Sequence, residues 1–328
     1  MTRLCALVSP FGLLLAVVCS VLSAEPATDP SAPQQAPKVL RIVSLSPAIS
    51  QMIVEMGLGG RIVGVAQHDQ AAPANLPVVG NYLEVDTELL LRLRPTHVLT
   101  MMAKEGPPRQ LRRLADHGRF TLVSYPSPLS VQDVANILDP ESVDEPADLP
   151  GLGTVLGDPD VARQVRQRML EQLRGIEQIT AGHTRPRVLM VLVTHPVMAS
   201  GPGTTHHQLL SIAGGVNAAA QSRVGAPTYD REGLLLLQPE LILILSPRGL
   251  PLESIDTDPR LAVFRGLNIP AVRDDRIVLM SDPLVLLPSS SIPRIAATMA
   301  RAIHPDLADL IDQVMSDSTA TVESTHDQ

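Results

Sequence analysis

Four of the nine histidines stand in segments that read as loops or helix starts: His68 in QHDQAAP, His195 beside Pro196, and His206-His207 just after Gly201-Pro202-Gly203. An imidazole in such a place can coordinate a transition metal, or hydrogen-bond a carboxamide or carboxylate. The plainer reading is a histidine that only satisfies a local hydrogen bond, and His97 at a strand start and His117 at a helix end fit that role. Tyr82 follows Gly80-Asn81 in a loop; in a chain with three Tyr, three Phe and no Trp, a ring placed there reads as exposed for binding rather than buried. Ser46-Pro47 closes the first apolar run, at a point where open α/β sheets present ligand groups, and joins His68, Tyr82, His195, His206 and His207 as candidate ligand-binding residues.

Two acidic clusters form a second set. Asp86-Thr87-Glu88 and Asp230-Arg231-Glu232 each open a helix, where carboxylates gain about 0.3–1 kcal/mol from exposed N–H groups. Helix stabilisation alone would account for them. Their spacing suggests more, because Glu88 precedes Pro95 by the same seven residues that separate Glu232 from Pro239. Both landmarks recur at an offset of 144 (232 minus 88, 239 minus 95), within matching EVDTELLLRLRPTHVLT and TYDREGLLLLQPELILI blocks. Such a match argues for two related lobes.

Other chemistries lack their residues. Both cysteines, Cys5 and Cys19, lie in the first 24 positions, so disulfides and thiolate catalysis are not expected of the mature chain. No Gly-x-Ser-x-Gly elbow, phosphate loop, His-Glu-x-x-His or Gly-x-Gly-x-x-Gly occurs, so neither enzymatic activity nor a cofactor is expected. A chelatase-like or metal-dependent enzyme stays as an alternative, as does a zinc- or manganese-type receptor, which would need several His and carboxylates converging on one point. With 26 Lys+Arg against 34 Asp+Glu, a net charge of −8 and no basic run, nucleic-acid binding is not expected.

The 328 residues suggest about two domains. Residues 1–24 have Arg3 near the start, an apolar run and small Ser23-Ala24, the layout of a cleaved signal peptide; bulky Val18 before Cys19 argues against a lipoprotein anchor. Residues 25–38 read as a flexible tether, 39–157 as an N-terminal α/β lobe, 158–182 as a connecting helix, 183–316 as a C-terminal α/β lobe and 317–328 as a disordered tail. Strand-like runs VLRIVSL, RIVGVA, THVLTM and RFTLVSY alternate with helical stretches, and RVLMVLV, ELILIL and RIVLM follow in the second lobe, implying parallel βαβ units. Residues 139–153 (DPESVDEPADLPGLG) read as a surface loop. Between the lobes, Val161, Val165, Met169, Leu173 and Ile176 keep helical spacing, with Asp158 as N-cap and Pro159 in the first turn.

Taken together, RIVSLSPAISQMIVEMGLGGRIVGV, LPVVGNYLEVDTELLLRLRPTHVL, the long middle helix, SGPGTTHHQLLSIAGGVNA and DREGLLLLQPELILI resemble the periplasmic binding proteins for cobalamin, haem and iron-siderophores. These are the helical-backbone substrate-binding subunits of ABC importers, and the likeness spans about residues 39–305. GNYLEVDTE is most similar to the cobalamin branch, while KEGPP at 104–108 is similar to haem-binding relatives. The resemblance implies two Rossmann-like lobes, a ligand cleft between them, little hinge closure, and a monomeric receptor in the periplasm. It further implies a metal-chelate ligand, corrinoid first and haem or ferric siderophore as alternatives. Glu88 and Glu232 fall where relatives present one carboxylate per lobe to the permease dimer. Tyr82 falls near an aromatic that packs on the ligand, and Ala226 occupies the matching ring position in the second lobe.

Overall fold

The computed structural model describes residues 39–81, 84–102, 106–140, 149–247 and 249–323. Residues 1–38, expected as a signal peptide and tether, Tyr82, the start of KEGPP and residues 324–328 of the expected tail lie outside them. The first sheet takes β1 (Ile42–Ser44), β2 (Ile62–Ala66), β3 (Val78–Gly80), β4 (His97–Met102) and β5 (Thr121–Pro126), ordered β3-β2-β1-β4-β5 and parallel at every pairing. That order reverses direction between β1 and β4, so a crevice opens beyond their carboxyl ends. Helices α1 (Pro47–Glu55), α2 (Thr87–Arg92), α3 (Arg109–Asp116) and α4 (Val131–Leu138) complete this lobe.

The stretch expected as a surface loop is only partly one. Residues 141–148 lie outside the described residues, but Leu152–Leu156 forms α5 with Leu152 fully buried. Next, α6 (Pro159–Thr180) runs unbroken for 22 residues, roughly 33 Å at 1.5 Å per residue. Its buried stripe is Ala162, Val165, Met169, Leu173, Ile176 and Thr180. Val161 is only half-buried, because the close approach of α5 falls on Ala162, 2.5 Å from where a Cβ on Gly153 would stand. Asp158 takes the N-cap place without a side-chain capping bond.

The second sheet uses β6 (Arg187–Thr194), β7 (Val197–Ala199), β8 (Val216–Asn217), β9 (Thr228–Tyr229), β10 (Leu241–Leu245) and β11 (Ile277–Met280), in the order β11-β10-β6-β7-β9 with β8 beside β6. It is mixed rather than wholly parallel. A two-residue turn at His195-Pro196 sends β7 back antiparallel to β6, with Thr194 opposite Val197, and β9 pairs antiparallel to β7. Helices α7 (Thr205–Ile212), α8 (Arg231–Leu237), α9 (Pro270–Arg273), α10 (Ile292–Ile303) and α11 (Ala308–Glu323) pack around it. The last continues past residue 317, so 317–323 are helical where a disordered tail was expected.

One buried cluster runs from Ile49 and Met52 of α1 through Met169, Leu173 and Ile176 of α6 to Leu209 of α7 and Ile295 of α10. Burial of each such side chain contributes about 1.5–3 kcal/mol, so the connecting helix is welded into both lobes rather than strung between them. A further weld lies at Gly175, where an added Cβ would stand 2.6 Å from Val314 of α11.

The repeat seen in the sequence is physical. Asp86 and Asp230 each accept a hydrogen bond from the backbone N–H three residues on, at 2.9 and 2.8 Å. Leu90 and Leu234 are fully buried, and Arg94 and Gln238 both end their helices at positive φ, 47° and 43°. Arg41 donates to the Leu93 carbonyl from Nη2 at 2.8 Å, and Arg187 donates to the Leu237 carbonyl at 3.0 Å. The same device closes a helix end in each lobe.

Candidate functional site

A cleft of about 420 Å³ opens at the carboxyl ends of both sheets. Pro47 comes from the start of α1 beyond β1, and His68 and Gln70 from the loop after β2. Ser246-Pro247 follows β10, while Pro283, Leu284, Leu286 and Leu287 come from the loop after β11. Six of these side chains are Pro or Leu, and His68, Gln70 and Ser246 supply the polarity. Mostly apolar walls with few convergent polar groups define a small-molecule site rather than one for a bare ion. Among the described residues no cluster of three or more His, Cys, Asp or Glu side chains is placed to hold a metal ion.

Beneath the cleft the loop after β2 is tightly anchored. Asp69 Oδ1 accepts the N–H groups of Ala71 and Ala72 at 2.9 and 3.1 Å, and its Oδ2 accepts the Ser50 hydroxyl at 2.6 Å. Ser50 also lies 2.8 Å from the fully buried Ser44 on β1. Beside it, β3 ends at Gly80 with φ 126°, where a Cβ would meet the Glu84 carbonyl oxygen at 2.1 Å. Only glycine allows that return, which leads directly into the Tyr82 segment.

The structure brings Pro47 and His68 together on the cleft wall. Ser46 is buried at the α1 N-cap, and its carbonyl is 3.0 Å from the Ser44 hydroxyl. His195 is exposed at the carboxyl end of β6 but does not line the cleft. His206 and His207 are occupied within the fold: His206 Nε2 donates to the Val285 carbonyl at 2.7 Å, and His207 Nδ1 receives Asn217 Nδ2 at 3.1 Å. His206 thereby ties α7 to the loop that forms the apolar wall. His97 and His117 are also bonded locally, to Thr96 Oγ1 and the Arg113 carbonyl.

Burial holds the pKa of His206 below the usual histidine value, opposed by its bond to the Val285 carbonyl. His304 is lowered first by burial and then by neighbouring His183, whose ring centroid lies 5.6 Å away. Both are neutral in the fold and titrate below 6.5, where the unfolded chain's histidines ionise. On acidification the unfolded state therefore binds protons first, so stability present above about pH 6.5 is lost as pH falls through it and levels off below the folded values. The melting temperature is expected to drop between pH 7.5 and 5.5, and His206→Gln, which keeps a donor for Val285, should flatten that slope. An equal slope in the variant would remove His206 from the account.

Two carboxylates stand apart from the cleft. The Glu88 side chain is 84% exposed, 3.9 Å from Arg92, and Glu232 is exposed on the equivalent turn of α8.

Two α/β lobes around a stiff helix, with an apolar cleft at the carboxyl ends of both sheets, define a two-lobed binding protein with a helical backbone. The chain belongs to the periplasmic binding protein family, whose profile matches residues 42–284. The vitamin B12-binding protein of Pectobacterium atrosepticum is 30% identical over 212 residues, 62% of this chain and 71% of that protein. Among solved structures, the periplasmic heme-binding protein RhuT of Roseiflexus is similar in fold with a TM-score of 0.66 at 22% identity, over 84% of this chain and all of that one. The vitamin B12-binding protein BtuF of Vibrio cholerae gives 0.58 at 20%, over 84% and 98%. Among the described residues no helix is long and apolar enough to cross a membrane.

Proposed function

We propose that this protein captures a metal chelate in the periplasm and hands it to the two-fold permease of an ABC importer, without catalysing a reaction. The cleft carries the reading: a largely apolar cavity without a fixed charge among its described lining residues suits the broad face of a chelate. Likeness to vitamin B12-binding proteins supports a corrinoid as the cargo, and haem or a ferric siderophore are the alternatives. The stiff backbone supports delivery with little hinge closure, since bending an intact helix costs more than turning a loop. Glu88 and Glu232, repeated once per lobe, suit a partner that offers two equivalent surfaces.

Titration calorimetry against cyanocobalamin, haemin and a ferric siderophore tests this directly. At least one should bind at micromolar concentration or tighter. Failure of all three would end the proposal.

A further inference from the structure

We propose that a second cavity, separate from the chelate cleft, binds a small zwitterion: an ammonium and a carboxylate on an apolar frame, the chemistry of a free amino acid. This cavity of about 360 Å³ is walled by residues of α1, α6, α10 and α11. It draws on Glu55, the last residue of α1, roughly 12 Å along that helix from Pro47 in the cleft. None of its described lining residues lines the cleft.

Three polar groups on its wall are left unspent by the fold. Ser289 and Ser291 bond each other through their hydroxyls at 2.8 Å, but Ser290 between them, 4% exposed, has no partner for its Oγ. A buried hydroxyl in that state is costly, and a ligand oxygen in the cavity relieves the cost. Among the described residues the half-buried Arg168 guanidinium has no hydrogen bond or ion pair, whereas Arg294 of the same cavity is paired with Asp282 at 2.7 Å. Arg168 therefore supplies the uncompensated positive charge. Glu55, also half-buried, accepts from Gln51 at 2.7 Å through Oε1 and pairs with no cation among the described residues.

Glu55 and Arg168 thus share one cavity without pairing with each other. A bare anion is repelled by the first and a bare cation by the second, but a ligand carrying both signs satisfies both. Its carboxylate accepts from Arg168 and the Ser290 hydroxyl, and its ammonium donates to Glu55. The start of α10 follows directly at Ser291, and the positive end of that helix adds to the preference for a carboxylate beside Ser290. Val165, Met169 and Pro293, all buried, give the cavity apolar surface for the frame of the ligand.

Calorimetry and melting curves of the purified protein with L-leucine, γ-aminobutyrate, butyrate and butylammonium test this site, whatever the cleft binds. The first two carry both charges, adjacent in leucine and separated in γ-aminobutyrate, so the tighter of them reports the spacing that the cavity fits. At least one should bind at millimolar concentration or below and raise the melting temperature, with butyrate and butylammonium weaker by about tenfold or more. Arg168→Gln and Glu55→Gln should each lower the affinity of the zwitterion by about tenfold. Ser290→Ala should lower it without lowering the melting temperature of the free protein, because the hydroxyl removed has no partner to lose. Leu287→Glu, in the cleft, should leave it unchanged. Binding of neither zwitterion, equal binding of butyrate or butylammonium, or an affinity untouched by the Arg168 and Glu55 variants would overturn the proposal, and so would loss of binding in the Leu287→Glu protein.

Discussion

Leu287→Glu is expected to weaken chelate binding by on the order of a hundredfold, about 2.8 kcal/mol at ~1.4 kcal/mol per decade. Leu287 is half-buried on the cleft wall. In the free protein a carboxylate there stays in water, so folding loses little. With ligand bound, the charge is pressed against an apolar face without a partner and loses its hydration. Leu287→Met, which conserves volume and polarity, should bind almost as the wild type does. Calorimetry and melting curves on both variants check this, and undiminished affinity in the Leu287→Glu protein would place the ligand elsewhere.

The second large effect separates docking from capture. Glu88→Ala combined with Glu232→Ala should leave chelate affinity nearly unchanged, because neither residue lines the cleft, while uptake through the importer falls. Each single variant should be intermediate, since each removes one of two equivalent contacts. Charged rim contacts steer association and fix register, so complex formation should also become less salt-sensitive. If the carboxylates served only their helices, each loss would cost about 0.3–1 kcal/mol of stability and uptake would be normal. Both helices retain their capping bonds from Asp86 and Asp230, which favours the first outcome.

Much of the fold is legible in the sequence because long elements carry their own period. Val165, Met169, Leu173 and Ile176 announce the backbone helix, and the apolar runs of β1, β2, β4, β5, β6, β10 and β11 announce the sheets. Strand β1 is as short as β3 and β7 but sits in the longer apolar run VLRIVSL, whereas β3, β7, β8 and β9, two or three residues long, have no such run around them, and with them the antiparallel edge of the second sheet stays hidden. The repeat is visible in Glu88, Pro95, Glu232 and Pro239. Its deeper part, the arginines capping Leu93 and Leu237, is not, because a backbone carbonyl leaves no mark in the sequence.

The site divides in the same way. Pro47 and His68 are legible because they follow strands. Ser246-Pro247 escapes notice although Leu-Ser-Pro occurs at both 45–47 and 245–247, each time at a strand's carboxyl end. Leu284, Leu286 and Leu287 give no separate signal, since an apolar loop that walls a cleft reads like one that fills a core. His206 and His207 look available after a glycine-rich turn, but the first turn of α7 packs where the Val285 carbonyl and Asn217 take up their nitrogens.

An anomalous-scattering map of crystals grown with the tightest-binding chelate, collected at the absorption edge of its metal, tests the central claim most directly. The metal peak should lie in the cleft between the carboxyl ends of the two sheets, with Pro47 and His68 on one side and Leu284 to Leu287 on the other. A fully occupied peak anywhere else on the molecule would contradict it.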